Sequence, residues 1–160
     1  MKKITCILIV LLISHSLAIA EEFSFQGIIL GKSIKEQYPN AKIIKKDNGS
    51  TAAIVEIPAD KSIGFDKYIV ATLDGEAHCI YGISTPKSVA EYTLPALTAK
   101  FGKPDAKTYP MQNIAGAQFD AYRYAWKLPG DIWIELDVST KSIDKAQLMV
   151  TTKKYRRKKP

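Results

Sequence analysis

The sequence predicts an α+β fold, a two-layer domain in which an antiparallel sheet carries helices on one face. Three observations point there. Two hairpin signals place strands next to one another in sequence, which favours antiparallel pairing: 68–73 to 76–83 across Asp74-Gly75, and 118–128 to 131–138 across Pro129-Gly130. One stretch of helical periodicity, 88–101, separates the two hairpins. The 160 residues, 46% apolar and 24% charged, suit one globular domain; they exclude a collagen, a disordered polymer and a large multidomain enzyme.

Residues 1–20 read as a cleaved export signal. Lys2 and Lys3 supply a positive start, and 4–13 is apolar apart from Thr5 and Cys6. Ala18-Ile19-Ala20 is a small-x-small cleavage site that leaves Glu21 at the new terminus. The apolar run is short for a membrane span, and Glu21 and Glu22 follow it at once. A double-Lys start suggests a bacterial exporter, hence the periplasm or the outside. The chain beyond the leader keeps one cysteine, Cys79, and one histidine, His78, so no internal disulfide is expected and stability must come from an ordinary core.

The elements follow in order. Ser33 is placed to cap a short helix through Tyr38, with Glu36 completing a capping box. Asn48-Gly49-Ser50 reads as a tight turn, and 51–57 is β-branched and apolar. Asp74-Gly75 supplies the positive φ angles of a two-residue type I′ turn. In 88–101, Val89, Tyr92, Leu94, Leu97 and Phe101 share a helical stripe; Pro95 is placed to bend or divide it, and Gly102 and Pro104 to end it. A last strand is expected at 146–152. Helix, strands and hairpin thus occur twice, which opens a reading as two tandem α-β-β-β units with halves at 21–84 and 85–152. A faint echo supports it: Tyr38-Pro39-Asn40-Ala41-Lys42 against Phe101-Gly102-Lys103-Pro104-Asp105-Ala106-Lys107.

The formal charge of +7 hints at nucleic acid until it is located. Without Lys2 and Lys3 the chain holds 21 basic and 16 acidic residues, and six of the basic ones form a run: Lys153, Lys154, Arg156, Arg157, Lys158 and Lys159. The body, 21–152, carries 15 basic and 16 acidic residues, a net of −1. The expected picture is a near-neutral domain, 21–152, with a flexible cationic tail, 153–160, free to touch an anionic envelope surface. A nucleic-acid partner is not expected.

Phe25-x-Gly27-Ile28-Ile29-Leu30-Gly31-Lys32-Ser33, with a helix start after it, looks like the opening of many small exported bacterial proteins. The layout resembles the duplicated α-β-β-β proteins of the β-lactamase-inhibitor-protein type and the BamE-like outer-membrane assembly lipoproteins. The resemblance implies a protein that binds other proteins and does not catalyse.

The residues carry little chemistry of their own. Neighbours on a strand point to opposite faces, so His78 and Cys79 are not expected to form a dyad. Cys79, alternating with Ala77, Tyr81 and Ile83, reads as a small buried hydrophobe; His78 reads as lying on the polar side near Glu76. No second His or Cys stands ready for a metal, and there is no Asp-rich loop, phosphate-cradling Gly-rich loop or Gly-x-Ser-x-Gly elbow. No catalytic residue, metal or cofactor is assigned. A pair of carboxylates leaves no local signature, so a small hydrolase acting on envelope polymer stays open as an alternative.

The second hairpin is the candidate binding site. If Trp126 lies opposite Trp133, Tyr122, Tyr124, Trp126, Trp133, Glu135 and Asp137 share one face with Asp120. Phe119, Ala121, Ala125, Ile132, Ile134, Leu136 and Val138 then form the other, with Arg123 and Lys127 out of place in it. Tyr and Trp bury much area with few rotors and keep a polar handle, which suits a surface that grips a protein partner; stacking on a sugar is a second version. The other reading is cross-strand packing on an exposed sheet. The expectation is therefore an exported, non-enzymatic binding protein, an inhibitor or immunity protein, with an envelope-assembly accessory tethered by its tail as the alternative.

Overall fold

The computed structural model describes residues 22–45, 51–56, 62–65, 67–112, 116–139 and 146–158. The expected leader and cleavage site, Asn48-Gly49-Ser50, Ile57, and Lys159 and Pro160 of the tail lie outside the described residues. A small hairpin, β1 (Ser24–Phe25) and β2 (Ile28–Ile29), leads into α1 (Ile34–Gln37). Four strands follow: β3 (Lys42–Lys45), β4 (Thr51–Glu56), β5 (Lys67–Leu73) and β6 (Glu76–Ser84). A helical stretch, 86–101, comprises α2 (Pro86–Ser88), a π turn (Val89–Thr93) and α3 (Leu94–Phe101). Four more strands come next: β7 (Asp105–Gln112), β8 (Gln118–Leu128), β9 (Ile132–Ser139) and β10 (Ala146–Thr152). The chain then forms α4 (Lys153–Lys158).

The eight longer strands make one antiparallel sheet in the order β3-β4-β5-β6-β10-β9-β8-β7. β3 to β6 and β7 to β10 are each a run of sequential neighbours, and the two runs meet where their last strands, β6 and β10, pair. The expected α+β class with an antiparallel sheet is what the chain adopts.

Register sorts the sheet into two faces. One row of partners runs Ala53, Val70, Ile80, Val150, Ile134, Trp126; the next runs Val55, Tyr68, Gly82, Leu148, Leu136, Tyr124. Except for half-buried Tyr124 these residues are buried, and with Phe25, Ile28, Ile34, Phe65, Val89 and Leu97 they form the core. α1 and the 86–101 helix therefore cover this face. Burying a side chain of this size contributes about 1.5–3 kcal/mol, so the row pattern dictates the register.

Local causes are visible in several elements. Asp74 (φ 56°) and Gly75 (φ 85°) take the left-handed angles of the first hairpin turn. Pro95 lacks an N–H and crowds the preceding turn, and the chain answers with the π turn just before it. Gly102, at φ 81°, ends α3. At Gly82 an added Cβ would stand 2.8 Å from the Phe65 ring, so the glycine lets that ring lie on the strand. Segment 62–65 is held for this contact by Ser84 Oγ donating to Gly64 O (2.7 Å) and Thr93 Oγ1 donating to Ile63 O (2.5 Å).

Other expectations are corrected. Ser33 precedes α1 but makes no side-chain capping bond. Gln37 anchors the segment instead, accepting from Ile29 N (2.7 Å) and donating to Ile29 O (3.0 Å). The edge strands β3 and β7 were not expected from the sequence. The second hairpin turns through three residues, Pro129-Gly130-Asp131, with Leu128 opposite Ile132. The tail is not a solvated coil over 153–158: it is helical and ion-paired. It lies against Cys79, Trp133 and Glu135, on the side of the sheet away from the core, so the helices do not all share one face.

Candidate protein-binding surface

The face of the sheet away from the core is built by the residues that alternate with it. One row runs across seven strands: Ile54, Ile69, Tyr81, Met149, Glu135, Ala125, Asp105. A second runs Ile44, Ala52, Ala71, Cys79, Thr151, Trp133, Lys127. A third holds Ile83, Gln147, Asp137, Arg123 and Lys107.

The β3–β6 side of this face is largely apolar, with Lys42 beside Ile54 and the Glu56–Lys67 ion pair at its border. Ile69 is 42% exposed and Ile83 47%, with Ile44 also exposed and Ile54, Tyr81 and Met149 half-buried beside them. The β7–β10 side is charged and aromatic. Arg123 grips Asp137 with two bonds, Nε to Oδ1 at 2.7 Å and Nη2 to Oδ2 at 3.0 Å. Tyr109 donates its hydroxyl to Asp137 Oδ1 (3.3 Å), and the Arg123 guanidinium lies 5.4 Å from the Tyr109 ring centre. The bond to Asp137 holds Arg123 firmly protonated. Burial first, and then the Asp137 carboxylate, push the Tyr109 and Tyr81 hydroxyls above their ordinary values. Asp137 is thus the charge around which two tyrosines and an arginine are arranged.

The sequence-predicted site residues divide between the two faces. Trp133, Glu135 and Asp137 are on the open face. Trp126 pairs with Ile134, Tyr124 with Leu136 and Tyr122 with Val138, all on the core side. Trp126 is 3% exposed and donates Nε1–H to Gly102 O at 2.8 Å, tying the second hairpin to the end of α3. Tyr124 packs against the core, and Tyr122 is exposed on that same side. Trp126 therefore does not face Trp133. A one-residue slip, caused by the three-residue turn, exchanges the faces. The misfit of Arg123 and Lys127 was the available signal: the true register sets Arg123 opposite Asp137 and Lys127 opposite Trp133. Ile69, Tyr81, Ile83, Tyr109 and Met149 were missed, and Tyr81 and Ile83 were read with the buried set.

Simple alternation is interrupted at His78, where β6 carries a bulge: Ala71 pairs with Cys79 and Thr72 with Ala77. His78 is buried, with Nδ1 3.0 Å from Thr152 Oγ1 and Nε2 3.3 Å from Glu76 Oε2. Burial lowers its pKa most, against a smaller rise from the Glu76 bond. Cys79 is buried, as expected, and the Tyr155 hydroxyl bonds to it.

The tail residues cluster at one end of the open face. Lys153 Nζ reaches Asp131 Oδ2 (2.6 Å), Lys154 Nζ lies 3.7 Å from Asp74 Oδ2 and 3.6 Å from Glu76 Oε2, and Arg156 Nη1 bonds Glu135 Oε1 (2.8 Å). The Arg156 guanidinium sits 5.0 Å from the Trp133 ring centre. Among the described residues no three His, Cys, Asp or Glu side chains come together as a metal site, and no helix is long and apolar enough to cross a membrane. A recess of about 610 Å³ at the β3–β4 edge has one lining carboxylate, Glu56, which pairs with Lys67 at 3.3 Å.

Comparison of the chain with protein-family models, with curated proteins and with solved structures found no match.

Proposed function

We propose that this is an exported, non-enzymatic binding protein that holds a protein partner on the open face of its sheet, in the manner of an inhibitor or immunity protein. The observation that carries the reading is the composition of that face: exposed Ile69 and Ile83 beside Tyr81, Met149, Tyr109, Arg123 and Trp133. Tyr, Trp, Arg and Met are the residues enriched where proteins bind one another, and apolar side chains exposed together mark such sites.

The two four-strand runs, each preceded by a helix, support a reading of the chain as tandem units, 21–84 and 85–152, joined at the β6–β10 pair. Export rests on the residues of the leader. The test is affinity capture from an envelope extract with three chains: wild type, Ile69→Ser/Ile83→Ser, and Tyr122→Ser on the core side as control. The expected result is a discrete partner kept by wild type and control and lost by the open-face variant. Equal capture by all three, with folding matched by circular dichroism, sinks the assignment.

A further inference from the structure

Helix α4 consists of Lys153, Lys154, Tyr155, Arg156, Arg157 and Lys158. Such a helix has little reason to form alone. Four of its five pairs three and four apart are like charges, such as Lys153 with Arg156 and Arg157, and these repel. Its first turn puts lysines at the positive end of the helix dipole with no acid to offset them. Six residues are also too few to hold a helix in water. The sheet holds it instead, through Asp131, Glu135, Asp74 and Glu76. Most of these side chains are 41–77% exposed; only Glu135, at 15%, is largely covered. Exposed ion pairs are individually weak and are screened by salt. Beneath the helix lie Trp133, under Arg156, and the Cys79 thiol, 4% exposed and bonded by Tyr155.

We propose that α4 is a displaceable cap, which an anionic lipid surface lifts off the Cys79–Trp133 end of the open face. A lipid leaflet presents a plane of phosphates, against four carboxylates on the sheet, and every Lys and Arg of the tail gains from approaching it. The same cations cannot serve both sets of anions. Binding to the surface therefore uncovers Trp133, Glu135 and Cys79, and joins the two roles that the sequence suggests separately, a tether and a recognition face. The consequence for partner capture rests on the function proposed above; the displacement itself does not.

The experiment uses the chain from Glu21 onward, the form that export leaves, in which Cys79 is the single thiol, and follows its reaction with a disulfide reagent at low ionic strength. Vesicles of phosphatidylcholine with phosphatidylglycerol are expected to sediment the protein and speed the thiol reaction severalfold. Vesicles of phosphatidylcholine alone, and inorganic phosphate, are expected to do neither. Sedimentation with an unchanged thiol rate, or no sedimentation, overturns the proposal. A second chain, Asp131→Asn/Glu135→Gln, loosens the clamp without touching the tail. It is expected to react faster without vesicles and to bind anionic vesicles more tightly than Glu36→Gln/Glu91→Gln, which removes the same charge elsewhere. Identical behaviour of the two pairs also overturns it. No readout involves a partner, so lost capture with an intact vesicle response refutes the binding-face assignment alone.

Discussion

Replacing each tryptophan by alanine separates the two faces of the second hairpin. Trp126 is 3% exposed in the core, and its indole N–H satisfies Gly102 O at the end of α3. Truncating a buried aromatic costs about 3–5 kcal/mol, and the orphaned carbonyl accounts for about 1 kcal/mol of that. Trp133 is half-buried on the open face, where it loses a stacked Arg156 and cross-strand contacts with Lys127 and Thr151. That loss is worth about 1 kcal/mol or less. With a urea m-value of ~2 kcal/mol/M, Trp126→Ala should lower the unfolding midpoint by about 2 M and Trp133→Ala by about 0.5 M or less. Equilibrium urea unfolding followed by far-ultraviolet circular dichroism reads both. Equal losses, or a larger loss at Trp133, would refute the register and the face assignment built on it.

Gly82→Ala puts a methyl group 2.8 Å from the Phe65 ring in the core, so a thermal melt should show a destabilisation of about 1–3 kcal/mol; a neutral result would mean that Phe65 does not lie there. The Tyr68 hydroxyl is buried without a hydrogen-bond partner among the described residues, so Tyr68→Phe should be neutral or stabilise by up to about 1 kcal/mol, and a clear loss in urea unfolding would contradict this. For His78 the pKa is lowered in the folded state, so as pH falls the unfolded chain takes up the proton first. The stability is full above the ordinary value of 6.5 and is lost as pH falls through it toward the folded-state value; His78→Gln should flatten this slope between pH 7.5 and 5, and an unchanged slope would assign it to other groups.

Much of the fold was legible because its signals are local. Asp74-Gly75 demands positive φ whatever surrounds it, and 68–73 and 76–83 fall within one residue of β5 and β6. Gly102 ends α3, and Ala146–Thr152 is the strand expected. The edge strands were not legible. β3 is four residues of Lys-Ile-Ile-Lys, and β7 contains Pro110, which an edge tolerates and a central strand does not.

By itself, then, the sequence determined the class, the hairpins, the main helix, the near-neutral body and the placing of the positive charge at one end. Only the tertiary structure decided which residues share a face. A turn of three residues instead of two or four, and one extra residue at His78, each shift alternation by one position, and the choice among them is made by core burial across six strands. The tail was decided in the same way. The five basic residues of α4 repel one another in isolation, and carboxylates brought together from β6, β9 and the two hairpin turns hold them as a helix over the sheet.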